Sequence, residues 1–272
     1  AYADTVYINF DSNSRMAELF SSDLDTDRLI MGLELYAGRK IEPENSLLIF
    51  DEVQEVPKAL TSLKYFYENA PQYHIICAGS LLGIALHRGT AFPVGKVDFL
   101  RLYPLSFREF LMATDKERFA ELLDKRNFQM ITSFKQTYID ALKHYYFVGG
   151  MPEAVEEYGK NHNPELVRII QQTILESYQN DMGKYNRQSE IPKTRIVYKN
   201  ISTQLAKENR KFQYKSIKQG GRASEFENAI EWLCLAGIAS QNYRIEQIML
   251  PLNAYRSLSD FKFYMNDVGL CG

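Results

Sequence analysis

The sharpest hydrophobic signal in the chain is an uninterrupted apolar run, Leu47-Leu48-Ile49-Phe50, that ends in two adjacent carboxylates, Asp51 and Glu52. A continuous run of this length reads as a strand buried on both faces, at the centre of a parallel sheet. Upstream, residues 5–11 (TVYINFD) are β-branched and aromatic with a period of two, a second strand. Residues 15–20 and 26–36 carry helical spacing, the second with Asp25 or Thr26 as its cap and Gly38 at its end. Pro57 suits the first turn of a helix over residues 58–69, with Leu60, Leu63, Tyr65, Phe66 and Tyr67 largely on one side. Residues 73–78 (YHIICA) form another buried strand that ends at Gly79 and Ser80, so strand, helix and strand make a βαβ unit. His74 falls at the start of that strand, a strand-end position. A further strand is expected over residues 97–102, then a turn in which Ser106 caps a helix.

Beyond residue 115 the pattern turns helical. Gly149, Gly150 and Pro152 interrupt it, as a plain turn or as a hinge. Helices are expected over residues 164–185, 191–208 and 223–236. Short strands are expected at 212–214, 238–247 and 261–265. Helix, strand, helix and β hairpin in this order suggest a winged helix.

This layout gives the carboxylates chemical meaning. A central parallel strand ends at the sheet's carboxyl edge, where α/β proteins place ligands. Asp51 at the tip and Glu52 just beyond it could hold Mg²⁺ through its water shell and orient an attacking water. The same six residues equally fit a buried strand followed by an acidic turn.

Composition narrows the classes. The 272 residues are 45% apolar and 24% charged, an ordinary globular balance. A net charge of −2 gives no global pull toward nucleic acid or membrane, but the distribution is uneven. The first sixty residues are acidic, and residues 184–222 are rich in lysine and arginine. Three scattered cysteines show no metal-ligand spacing and fit a reducing, cytoplasmic setting. No apolar run approaches a membrane span. The chain starts with Ala and enters a strand almost at once, so it reads as a piece of a longer protein.

Several segments together resemble the AAA+-superfamily ATPases of prokaryotes that carry an uncharacterised C-terminal domain. They are residues 47–57 (LLIFDEVQEVP), 78–80 (AGS), 102–110 (LYPLSFREF), 149–155 (GGMPEAV), 211–214 (KFQY), 229–233 (AIEWL) and 261–270 (FKFYMNDVGL). The resemblance covers nearly the whole chain. It implies a P-loop NTPase-like α/β core over residues 1–113, a helical lid over 114–186 and a winged-helix domain over 187–272. It assigns Asp51 and Glu52 to a Walker B pair, Asp51 for Mg²⁺ and Glu52 for the hydrolytic water, and puts Ser80 at the sensor position. Lys96 stands where the family usually has a finger arginine, and Arg88 is a looser alternative. ATP and Mg²⁺ are the implied cofactors, and oligomeric assembly accompanies many relatives.

Two departures qualify this. No Gly-x-x-x-x-Gly-Lys-Ser/Thr loop occurs anywhere in these residues, and the family places it before the strand that begins at Thr5. Without that loop the β- and γ-phosphates have no cradle, and this stretch by itself is expected not to hydrolyse ATP. Downstream, the family continues past Leu270 into a nuclease-like region.

The C-terminal part offers a second function class, a module that binds DNA or a protein partner with the ATPase core as scaffold. Lys211, Lys215, Lys218 and Arg222 are the candidate phosphate contacts. The helix over 223–236 turns Glu225, Glu227, Asn228 and Glu231 outward, which disfavours base reading through that helix.

Overall fold

The computed structural model describes residues 2–79, 82–87, 95–209 and 211–272. It falls into two compact units, Ala1–Arg101 and Leu102–Gly272. The division precedes the boundary expected at residue 113.

In the first unit, β1 (Asp4–Asn9), β2 (Ser46–Asp51) and β3 (His74–Cys77) form a parallel sheet in the order β1-β2-β3. The register pairs Asn9 with Asp51 and Phe50 with Cys77. The apolar run therefore is the central strand. Helices α1 (Ser14–Ser21) and α2 (Thr26–Ala37) connect β1 to β2, and α3 (Pro57–Asn69) connects β2 to β3. Asp25 caps α2 by accepting from the Arg28 N–H at 2.9 Å, and Gly38 ends it at φ +66°.

One expectation fails here. Leu48 and Phe50 are fully buried, but Leu47 and Ile49 on the opposite face are only half-covered. Beside them Tyr7 and Ile76 are each 53% exposed. The cause is topological. Right-handed crossovers that advance in one direction along a sheet put their helices on one face. Accordingly Phe20, Leu29, Leu33, Leu60 and Phe66 all pack with Val6, Ile8, Leu48 and Phe50. No described crossover runs the other way to cover the second face. After the short helix α4 (Leu82–His87), the expected strand over 97–102 is absent; Leu100 and Leu102 lie open to solvent. An apolar run becomes a strand only where a free edge pairs with it.

The second unit runs through α5 (Phe107–Ala113), α6 (Glu117–Asp124), α7 (Phe128–Ser133), α8 (Lys135–Val148), α9 (Pro152–Asn161), α10 (Pro164–Tyr185), α11 (Ile191–Leu205) and α12 (Ala223–Leu235). An antiparallel hairpin, β4 (Ala239–Ile245) and β5 (Arg256–Met265), follows. Ser106 and Glu109 close α5 with a capping box. Phe110 packs with Val148, Ala154, Val155 and Val167, which draws the Pro104–Phe110 motif into this unit. The expected strand at 212–214 is replaced by one backbone bond, Phe212 N–H to the Phe261 carbonyl at 2.9 Å, and a 3₁₀ turn at Tyr214–Ser216. Phe212 stacks on Phe261 at 5.3 Å, so the ring contact holds what a ladder would have.

The Gly149-Gly150 turn is gripped from far along the chain. Leu105 N–H donates to the Gly150 carbonyl at 2.7 Å, and Gly150 N–H donates to Asp267 Oδ2 at 2.5 Å. Asp267 also accepts from Leu270 N–H at 3.2 Å and is only 4% exposed. Burial pushes its carboxyl above the usual aspartate range, against the lowering effect of these amides.

Candidate functional site

Asp51 is the last residue of β2, and Glu52 follows it in a left-handed conformation, φ +50° and ψ 39°, at the head of a one-turn 3₁₀ helix. A non-glycine residue in that region marks a turn the surroundings enforce. The enforcing bonds are present. Ala78 N–H donates to the Phe50 carbonyl at 2.8 Å, Val53 N–H to the Ala78 carbonyl at 3.1 Å, and Phe10 N–H to the Asp51 carbonyl at 3.0 Å. The chain therefore turns sharply past Asp51 while staying bonded to both neighbouring strands.

The Asp51 carboxylate is held on both oxygens. Oδ1 accepts from Glu52 N–H at 2.9 Å. Oδ2 accepts from the Tyr7 hydroxyl and, at 3.4 Å, from the Asn9 amide. Both donors come from β1, two residues apart on one face, next to the strand that ends in Asp51. Asn9 is itself pinned, accepting from Asp11 N–H at 3.0 Å and Ser12 N–H at 3.2 Å. The bond to Asp51 raises the Tyr7 phenol above its ordinary pKa. Glu52 accepts from the Gln54 amide. Gln54 in turn abuts Gly79, where a Cβ would lie 2.1 Å from Gln54 Oε1. A side chain at position 79 would have to push the Gln54 amide out of its place beside Glu52.

Sequence reasoning passed over Tyr7, Asn9 and Gln54. The signal for the first two was there: period-two spacing places both on one face of β1, and the parallel register brings Asn9 opposite Asp51.

Ser80 and Arg88 lie outside the described residues. Lys96 is not brought to the carboxylates. Its ammonium pairs with Glu68 and lies 5.7 Å from the centroid of the Tyr67 ring. Those residues are at the far end of α3, about 18 Å along the helix from its start beside the strand tips. Of the C-terminal candidates, Lys211 pairs with Asp260 and Lys218 with Glu225 at 2.5 Å. Lys215 and Arg222 are exposed with no ion-pair partner among the described residues.

The donor set fits one side of a Mg²⁺–nucleotide. Mg²⁺ takes one or two carboxylates and completes its octahedron with waters and substrate phosphate oxygens. Asp51, fixed in rotation and half-exposed at a strand tip, suits that limited role. No cluster of three or more His, Cys, Asp or Glu exists among the described residues, so a dedicated all-protein metal cage is not what they form. Among the described residues no Gly-x-x-x-x-Gly-Lys-Ser/Thr loop stands beside the strand tips to take the phosphate side. Burial disfavours thiolate formation, pushing Cys77 up to about 12 and Cys234 up to about 11. No described helix is long and apolar enough to cross a membrane.

Residues 1–111 match the family described as AAA domain, and residues 139–272 match a domain of unknown function (DUF8612). A search of curated proteins gives no match. Among solved structures, the Walker-type ATPase PABY2304 of Pyrococcus abyssi superposes with a TM-score of 0.53 at 13% identity, covering 99% of this chain and 83% of that one. The Orc1 protein of Aeropyrum pernix, solved in complex with DNA, matches with a TM-score of 0.34 at 12% identity, over 97% of this chain and 75% of that one. The first of these, with the family match, establishes the P-loop NTPase-like fold of the core.

Proposed function

We propose, for a chain whose residues 1–111 are an AAA domain in a P-loop ATPase fold, that Asp51 and Glu52 are the carboxylate half of an ATP-hydrolysing site. One observation carries this reading: adjacent carboxylates stand at the tip of the central parallel strand, the first locked by Tyr7 and Asn9 from the neighbouring strand. When bound, Mg²⁺ neutralises charge that develops on the transferred phosphoryl group. Asp51 would hold that ion through its water shell, with its rotation set by Tyr7 and Asn9. Glu52 accepts a hydrogen bond from the attacking water and aims its lone pair. To reach that water it gives up the Gln54 amide, so Gln54 sets how readily Glu52 engages.

The phosphate cradle belongs, in this reading, to a Gly-x-x-x-x-Gly-Lys-Ser/Thr loop upstream of Thr5 in a longer parent chain. The test uses a chain extended through such a loop. MgATP binding is measured by calorimetry with and without Mg²⁺. Asp51→Ala is expected to remove most of the Mg²⁺ dependence and leave Mg²⁺-free nucleotide binding in place. Equal Mg²⁺ dependence in both proteins would remove Asp51 from the site.

A second reading attaches to the other unit, in which α11, α12 and the β4–β5 hairpin compose a winged helix that contacts DNA. The exposed, unpaired Lys215 and Arg222 favour it. Glu227, Asn228 and Glu231, outward on α12, argue that phosphates rather than base edges are contacted.

A further inference from the structure

The hairpin carries two features that the sequence did not bring together. Along its outer face Asn242 pairs with Lys262 and Ser240 with Tyr264, and Arg244 continues the same row. Asn242, Arg244, Lys262 and Tyr264, with Asn209 and Lys211, line an open cleft of about 570 Å³. Two acidic groups temper this surface. Asp260 bonds Lys211 and stands 3.5 Å from Arg244, and Glu246 sits where the tip begins. Lys262 has no carboxylate partner among the described residues, whereas Arg256 pairs with Ile245 and lies over the Tyr243 ring at 4.9 Å, on the other face of the hairpin.

At the tip, Ile248 is 94% exposed and Leu250 87%, with Met249, Leu252 and Leu258 also exposed. The tip is ordered by its own backbone. Glu246 N–H donates to the Tyr255 carbonyl at 2.9 Å, Met249 N–H to Gln247 at 3.0 Å and Ala254 N–H to Pro251 at 3.0 Å. A structured turn that presents a cluster of large apolar side chains to water has a purpose other than packing its own unit.

We propose that the hairpin is a duplex-DNA-binding arm. Arg244 and Lys262 on the shaft contact phosphates, while Ile248, Met249 and Leu250 at the tip enter the minor groove and wedge a base step. Charge complementarity selects this occupant: cations lead along the ribbon to an apolar end. That is the combination by which minor-groove proteins hold the backbone and offset the cost of unstacking. The inference rests on the DNA reading above and moves the principal contact from residues 211–222 to the hairpin.

The experiment uses this chain and a mixed-sequence duplex of roughly two helical turns, labelled at both ends. Anisotropy gives affinity against salt, and energy transfer between the ends gives bending. Wild type is expected to bind with a steep salt dependence and to shorten the end-to-end distance. Arg244→Ala with Lys262→Ala should lower the log–log salt slope by about 1.8, two contacts at about 0.9 each. Ile248→Ser with Leu250→Ser touches no buried group. It should weaken binding roughly tenfold and abolish bending while leaving the salt slope unchanged.

If Lys215→Ala with Arg222→Ala removes binding and the hairpin variants do not, the arm is refuted and the broader DNA reading stands. If no salt-dependent duplex binding occurs, both fail. Binding to anionic lipid vesicles lost in the tip variant, with no duplex bending, would also overturn the proposal and identify a membrane-directed tip.

Discussion

Replacing Gly150 with alanine should destabilise the second unit by about 3 kcal/mol, a large effect for one methyl group. The residue's φ is not in the left-handed region, so backbone strain is not the reason. The added Cβ would lie 2.1 Å from the Leu105 carbonyl oxygen, 2.6 Å from Leu105 N and 2.9 Å from Leu105 C. All three are backbone atoms, which cannot swing aside as a side-chain end could. Relief demands about 1 Å of separation between the Gly149-Gly150 turn and the segment at Leu105. That movement breaks the 2.7 Å bond from Leu105 N–H to Gly150, worth about 1 kcal/mol. It also breaks the 2.5 Å bond from Gly150 N–H to Asp267, which as a charge-assisted bond is worth about 1.5–3 kcal/mol. Stiffening the unfolded chain returns about 0.4–1 kcal/mol.

The assay is urea unfolding followed by the fluorescence of the single tryptophan, Trp232, which is 7% exposed and belongs to the same unit. Gly220→Ala is the matched control. Its φ is +75° with nothing within 4 Å of the added Cβ, so it should cost only the left-handed penalty of about 1 kcal/mol. A Gly150→Ala protein within about 1 kcal/mol of wild type would refute the clamp between residues 105, 150 and 267.

The same clamp predicts a pH signature. Burial raises the Asp267 pKa above its unfolded value, so the folded state binds the proton more tightly. This group's contribution to stability is therefore greatest below the unfolded pKa and declines as pH rises through the folded pKa; Asp267→Asn should remove that decline from the wild-type stability–pH curve. At the head of α5, Ser106 accepts from Glu109 N–H and donates to the Glu109 carboxylate, and Ser106→Ala should cost about 1 kcal/mol in the same urea experiment.

How far the sequence disclosed this molecule follows from the range of the forces involved. The three strands of the core and α1 to α3 were legible because their apolar spacing is local and strong. The Asp51–Glu52 pair was legible because a central strand must end at the carboxyl edge. The half-open second face was not, since it depends on the direction of crossovers rather than on the strand's own residues. Residues 97–102 have strand composition but no paired edge, and residues 212–214 are held by ring stacking instead of a ladder. The grip of Asp267 on Gly150 joins positions 117 residues apart, and no local pattern signals such a contact. Tyr7 and Asn9 lay between these cases, visible once strand alternation was combined with register.

The most direct test of the central claim is ATP turnover by a chain extended through an upstream phosphate loop, with Glu52→Gln beside wild type. Glu52→Gln is expected to keep MgATP affinity within a few-fold while turnover falls by about 10²–10⁴, the usual contribution of a positioned acid–base group. Turnover unchanged in Glu52→Gln, or absent from the extended wild-type chain that binds MgATP, would contradict it.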